Sequence, residues 1–178
     1  GGGGHWSFTL ARVIPPTGVQ GTWKMAPKAG ALGVGPGLND MSWWASDAAT
    51  VTDRACFFDD EYVFNADGTF QNVLGSETWL EKWQTGATED ACGAPIFPHD
   101  GSASATYEYN ESAGTITLTG KGAYLGIPKA VNGEELTNPG DAPDEVTYLA
   151  ELSEDGNTLE IDIEIGGGGH WSFTLARE

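Results

Sequence analysis

The sequence predicts an all-β protein, an antiparallel barrel or sandwich of about eight strands with one short helix and an N-terminal extension strand. Three observations lead there. Short stretches of apolar–polar alternation recur at hairpin spacing, the period-2 signature of strands with one buried face. Gly (26) and Pro (9) punctuate these stretches, and no long helical pattern intervenes. Finally, the stretch Gly1–Arg12, GGGGHWSFTLAR, recurs letter for letter at Gly166–Arg177, displaced by 165 positions.

Each copy is a glycine lead followed by a strand. In the first, Trp6, Phe8 and Leu10 share one face and His5 and Arg12 flank the row. In the second, Trp171, Phe173, Leu175 and Arg177 stand at the matching places. A barrel or sandwich has one slot for a given terminal strand, yet this chain carries two strands cut for it. Either the chain is a window from a tandem array, or one copy completes a neighbouring molecule. A terminus duplicated by design is the third explanation. Residues 1–12 are therefore expected to be a donated strand or the end of a preceding module. Residues 13–20 (VIPPTGVQ) are a linker stiffened by Pro15 and Pro16, and residues 21–178 are the domain.

Within the domain, Gly21–Met25 opens as a strand and Gly30–Asn39 is a loop. Met41–Ala45 is a strand carrying Trp43 and Trp44, one of which needs cover because adjacent strand residues face opposite sides. Cys56–Phe64 reads as a strand, turning at Asn65–Gly68 into Thr69–Leu74; Asp-Gly between aromatic alternations is a strong hairpin signal. Glu77–Gln84 is the helical candidate, with Trp79, Leu80 and Trp83 on one side. Ala105–Tyr109 and Thr115–Thr119 form a second hairpin. Gly120–Pro128 is apolar and broken by glycine, which predicts a bent strand. Val146–Leu152 and Thr158–Ile165 form a third hairpin, and the second copy of the repeat closes the chain.

Composition bounds the function. Eight basic against 26 acidic residues give a net charge of −18, so nucleic acid is no partner and anionic membranes repel the chain. No run approaches the length of a membrane span. The chain opens on Gly1 with no signal peptide, as expected of a mature or excised piece. Cys56 and Cys92 are compatible with one disulfide in an extracellular or cell-surface protein, or with two buried thiols. A bonded pair is the expectation.

The order GTWKM at 21–25, YVFNADGTF at 62–70, TITLTG at 115–120, SEDGNTLEID at 153–162 and WSFTLAR at 171–177 resembles the lipocalin-like domains of secreted bacterial proteins. It is similar to modules of large multidomain proteins of the Bacteroidota. The resemblance implies a barrel in which the tryptophan of the Gly21-x-Trp23 signature lies under an arginine of the last strand, Arg177. The Trp43-Trp44 insert and the loop holding Cys92 and His99 depart from that pattern.

Candidate chemistry is sparse. Asp59, Asp60 and Glu61 form the densest acidic run, with Asp100 as a further oxygen donor, and hard ligands of this kind suit calcium. The spacing matches no known calcium loop, and a solvated acidic face is the competing reading. No pair among Asp59, Glu61, Glu77 and Glu81 is singled out for glycoside hydrolysis. No nucleophile triad or zinc spacing stands out, so no enzyme is expected and no cofactor required. Trp43, Trp44, Trp79 and Trp83 are candidates for stacking on sugar rings or for core packing. Two functions follow: a structural module that assembles with other copies of itself into a filament or array through its N-terminal strand, and a polysaccharide-binding module.

Overall fold

The computed structural model describes residues 18–178. The assembly-strand residues His5, Trp6, Phe8, Leu10 and Arg12, and linker residues 13–17, lie outside the described residues. The strands are β1 (Gly21–Met25), β2 (Leu32–Gly35), β3 (Trp44–Ala45), β4 (Glu61–Phe64), β5 (Thr69–Val73), β6 (Thr78–Leu80) and β7 (Ala91–Gly93). They continue with β8 (Ala105–Asn110), β9 (Thr115–Thr119), β10 (Ala130–Val131), β11 (Glu134–Glu135), β12 (Glu145–Leu152), β13 (Thr158–Glu164) and β14 (His170–Arg177). Three short helices, α1 (Ala48–Asp53), α2 (Ala55–Phe58) and α3 (Lys82–Thr85), and a 3-10 turn at Pro139–Asp141 complete the elements of the described residues.

Eight antiparallel strands close into a barrel in the order β1-β4-β5-β8-β9-β12-β13-β14, with β14 returning to β1. Closure leaves these strands without free edges. The three hairpins expected from alternation form as read: β4 with β5 about Asn65–Gly68, β8 with β9, and β12 with β13. Their alternating residues line the interior, where Phe64, Phe70, Ile116, Leu118, Tyr148, Leu159 and Ile161 are buried.

Gly30–Asn39, expected as loop, contains β2, whose residues Leu32–Gly35 pair with His170–Phe173 of β14. Three further elements differ from expectation. Glu77–Gln84 is not one helix. Thr78–Leu80 pairs with Ala91–Gly93 as strands β6 and β7, and only Lys82–Thr85 coils, with Glu81 and Gln84 forming a reciprocal cap. The first part of Cys56–Phe64 is helical. There α2 buries Phe57 and Phe58, whose rings meet edge to face at 5.3 Å, a packing that alternation does not reveal.

The third difference positions much of the core. Gly120–Pro128 is not a bent strand but irregular chain, buried without interruption from Gly122 to Pro128. Backbone buried outside a sheet needs polar partners, and inward side chains of the barrel supply them. Asn72 donates from Nδ2 to the carbonyl of Tyr124 (2.9 Å) and accepts at Oδ1 from its N–H (3.3 Å). Tyr62 donates to the carbonyl of Gly126 (3.1 Å), and Tyr148 Oη accepts from the N–H of Leu125 (3.1 Å). Gly126 sits at φ +67°, and a Cβ there would come 2.3 Å from the Phe173 ring. The segment is a plug bonded into the barrel.

Candidate functional site

The closing strand β14 is gripped along both edges. β13 pairs with it from Thr158↔Ala176 to Glu164↔His170. On the other edge β2 pairs with His170–Phe173 and β1 with Leu175–Arg177. Trp171, Phe173 and Leu175 point inward and are 7%, 0% and 0% exposed. At about 1.5–3 kcal/mol per large apolar side chain, this row is a major part of what holds the barrel shut. The outward residues are also engaged. Ser172 donates to Asp162 Oδ2 (2.7 Å), His170 Nδ1 lies 2.6 Å from Asp162 Oδ1, and Thr174 donates to Glu160 (2.9 Å).

Arg177 ends the strand over Trp23, its guanidinium carbon 4.2 Å from the ring centroid. Trp23 is fully buried and donates from its indole to the carbonyl of Val19 (2.8 Å). Arg177 donates from Nε to the carbonyl of Gly156 (2.6 Å), from Nη2 to that of Gly18 (2.9 Å), and from Nη1 to that of Gln20. Gly21, at φ +127°, gives the guanidinium room, since a Cβ there would lie 2.8 Å from Nη1. The signature pair Gly21 and Trp23 thus meets Arg177 as the resemblance implies. The chain enters and leaves the barrel side by side at this pole.

Tryptophans gather at the opposite pole. Trp43 is 60% and Trp44 36% exposed. Trp44 meets Trp171 edge to face at 6.2 Å, and the Arg54 guanidinium lies between Trp44 (5.5 Å) and Trp79 (4.5 Å). Trp44 is therefore the covered member of the pair, and Trp43 stays open. Trp83 sits apart, its indole donating to Glu81 (2.9 Å) and its ring 5.9 Å from His99. Lys129 bridges Glu81 (3.0 Å) and Glu135 (3.8 Å) and lies 5.0 Å over Trp171, whose indole donates to Glu135. The alternation of the sequence did not expose Arg54 or Lys129 as partners of these rings, because each lies outside the strand that carries the tryptophan it meets.

Cys56 and Cys92 are bonded (S–S 1.99 Å), tying α2 to β7 beside a shallow hollow lined by Asp59 and Leu74–Glu77. The acidic candidates for calcium do not converge. Asp59 is exposed at this hollow, Glu61 faces Lys24 (3.5 Å), and Asp100 bonds Ser102 in its own turn. Asp60 points inward, accepts from Thr78 Oγ1 (2.6 Å) and leaves Oδ1 without a partner. Burial pushes its carboxyl up to about 8. Among the described residues no three metal-ligating side chains cluster. His99 is also buried, which lowers its imidazole to about 4.

No protein-family model and no curated protein matches the chain.

Proposed function

We propose that the chain is a structural, non-enzymatic unit of an extracellular array in which lipocalin-like barrels are joined through the duplicated strand. Residues 1–12 are then the closing strand of a neighbouring barrel. The observation that carries this reading is that β14, the second copy, already fills the one slot its sequence fits, gripped on both edges. An identical strand at residues 1–12 belongs to another slot of the same shape.

Counting strands favours a covalent run over separate subunits. Separate 178-residue subunits would bring two closing strands to each slot and leave one apolar strand per subunit unmatched. A continuous chain of successive barrels brings one per barrel, its units not strictly identical, since Glu178 stands where a 165-residue period would place the valine of position 13. The Arg177–Trp23 stack supports the lipocalin-like reading. The disulfide suits an oxidising location, and among the described residues no helix is long and apolar enough to cross a membrane.

Denaturing electrophoresis of the reduced native protein tests the proposal. A chain far above 18.8 kDa is expected. A band near 18.8 kDa from material that is monomeric in solution contradicts it. The same band from a polymer replaces the covalent run with strand donation.

A second reading, polysaccharide binding, rests on Trp43, which presents an open indole next in the chain to Trp44. Electrophoresis through gels cast with soluble glucans checks it. Retardation that Trp43→Ala abolishes supports a sugar platform; unchanged mobility removes it.

A further inference from the structure

Of the two arginines among the described residues, Arg177 is spent on the fold, donating to three backbone carbonyls. The ion pairs of the described residues use Lys24, Lys129 and His170. Arg54 has neither an ion pair nor a side-chain hydrogen bond among the described residues, in a chain with 26 acidic residues. Its guanidinium lies instead over two indoles, 4.5 Å from the centroid of Trp79 and 5.5 Å from that of Trp44. The side chain is half-buried, yet none of its nitrogens is both buried and unpartnered, so its donors reach solvent. The two indoles repeat the pattern. Trp23, Trp83 and Trp171 donate to the carbonyl of Val19, to Glu81 and to Glu135. The N–H of Trp79 is buried without an acceptor, and that of Trp44, 36% exposed, has none among the described residues. The three side chains form a set of donors to which the described residues offer no acceptor.

We propose that Arg54, flanked by Trp44 and Trp79, binds the carboxylate of a uronic-acid residue in an acidic polysaccharide. It rests on the polysaccharide reading of Trp43 and gives that sugar its chemical class. A guanidinium carries its five N–H groups in one plane. Where its faces lie against indoles, a partner must come to the edge, in that plane. A carboxylate is planar, accepts only, and meets such an edge through two parallel hydrogen bonds. The cation–π contacts also hold the fork in place, so less side-chain freedom is lost on binding. A uronate joins this carboxylate to a ring with an apolar C–H face. Trp44 and its chain neighbour Trp43, 36% and 60% exposed, offer indole surface for that face. A neutral sugar would leave the Arg54 charge unanswered, and a small inorganic anion would leave the rings bare. The net charge of −18 repels polyanions at range, so binding depends on direct contact with Arg54.

Tryptophan fluorescence of the full chain, titrated with tetramers of galacturonate, mannuronate and guluronate, tests this. At least one tetramer is expected to give a saturating change in emission. The methyl ester of the same tetramer, which has no carboxylate charge, should bind about tenfold more weakly or not at all. Arg54→Gln should lose the binding, and Arg54→Lys, which keeps the charge but not the fork, should recover only part of it. No response to any of the three acids overturns the inference. So does a response that neither esterification nor Arg54→Gln changes. Cellotetraose separates this failure from failure of the broader reading. Neutral and acidic tetramers bound equally, both lost in Trp43→Ala, keep the polysaccharide reading and remove the uronate; no binding of either kind removes both. Equal binding of tetraglutamate marks a site for protein carboxylates and also overturns the inference. Should Arg54→Gln fail to fold, the comparison of acid with ester decides alone, because it leaves the protein untouched.

Discussion

The Arg177 guanidinium lies 4.2 Å over the centroid of the buried Trp23 indole and donates to three backbone carbonyls. It joins the last strand to the chain just before the first, and so seals one pole. A desolvated cation–π contact contributes about 2 kcal/mol and each charged hydrogen bond a comparable amount, non-additively. In a chain starting at Val13, where no second copy is present, Arg177→Ala is expected to cost about 2–4 kcal/mol. That corresponds to a melting decrease of roughly 5–15 °C. Near-UV circular dichroism of the tryptophans during thermal unfolding measures it. Arg177→Lys should recover only part, because an ammonium cannot fork across the carbonyls of Gly18, Gln20 and Gly156.

The plug makes a second demand on one position. Gly126→Ala must place a Cβ against the Phe173 ring at positive φ, and a loss of about 3 kcal/mol or more is expected from overpacking plus backbone strain. Gly86, at φ +70° with open space around it, is the control, and its alanine variant should lose only about 1 kcal/mol. Urea titrations of both variants separate crowding from backbone preference.

The Trp23–Arg177 pair was implied only by the family resemblance, whereas the hairpins and the all-β class were legible because each is written locally, in alternation and turn residues. The plug was not. Gly120–Pro128 has the composition of a buried strand, and what keeps it irregular is the set of distant partners Asn72, Tyr62 and Tyr148, which no local pattern displays. The same holds for α2, whose Phe57 and Phe58 follow a Cys in a run that alternates well enough to pass for sheet. Of the acidic run, the burial of Asp60 under Thr78 was not visible in the sequence. The tryptophan set was visible as residues, while Arg54 as the cation between two of them was not.

Buried Asp60 and His99 give opposing pH dependences. Asp60, raised from 3.8 to about 8, favours folding in its protonated form, so its contribution is full below pH 4 and is lost as pH rises to about 8. His99, lowered from 6.5 to about 4, favours folding in its neutral form, so its contribution is present above pH 6.5 and is lost as pH falls to about 4. Each slope approaches about 1.4 kcal/mol per pH unit. From these two groups, stability should be flat between pH 4 and 6.5 and should fall by about 2 kcal/mol from pH 6.5 to 8. Asp60→Asn should abolish the fall and leave a rise between pH 4 and 6.5. Denaturant midpoints across this range, identical for the two proteins, would refute the assignment.

The Cys56–Cys92 bond closes 36 residues of separation around β4, β5 and β6. On the chain-entropy estimate its reduction should cost about 3–4 kcal/mol. Guanidinium unfolding of the reduced wild type and of the Cys56→Ser, Cys92→Ser double variant should give the same lowered midpoint. A midpoint unmoved by reduction would show that the unfolded chain gains little freedom from opening this loop.

The central claim is that Gly1–Arg12 is a barrel-closing strand as competent as Gly166–Arg177. Its most direct test is a titration. A chain of residues 13–178 carrying Phe173→Asp lacks any usable closing strand, and the twelve-residue peptide GGGGHWSFTLAR supplies one. Near-UV circular dichroism should return to that of the unsubstituted 13–178 chain, saturating at one peptide per barrel. No recovery, or equal recovery with a scrambled peptide of the same composition, contradicts the account.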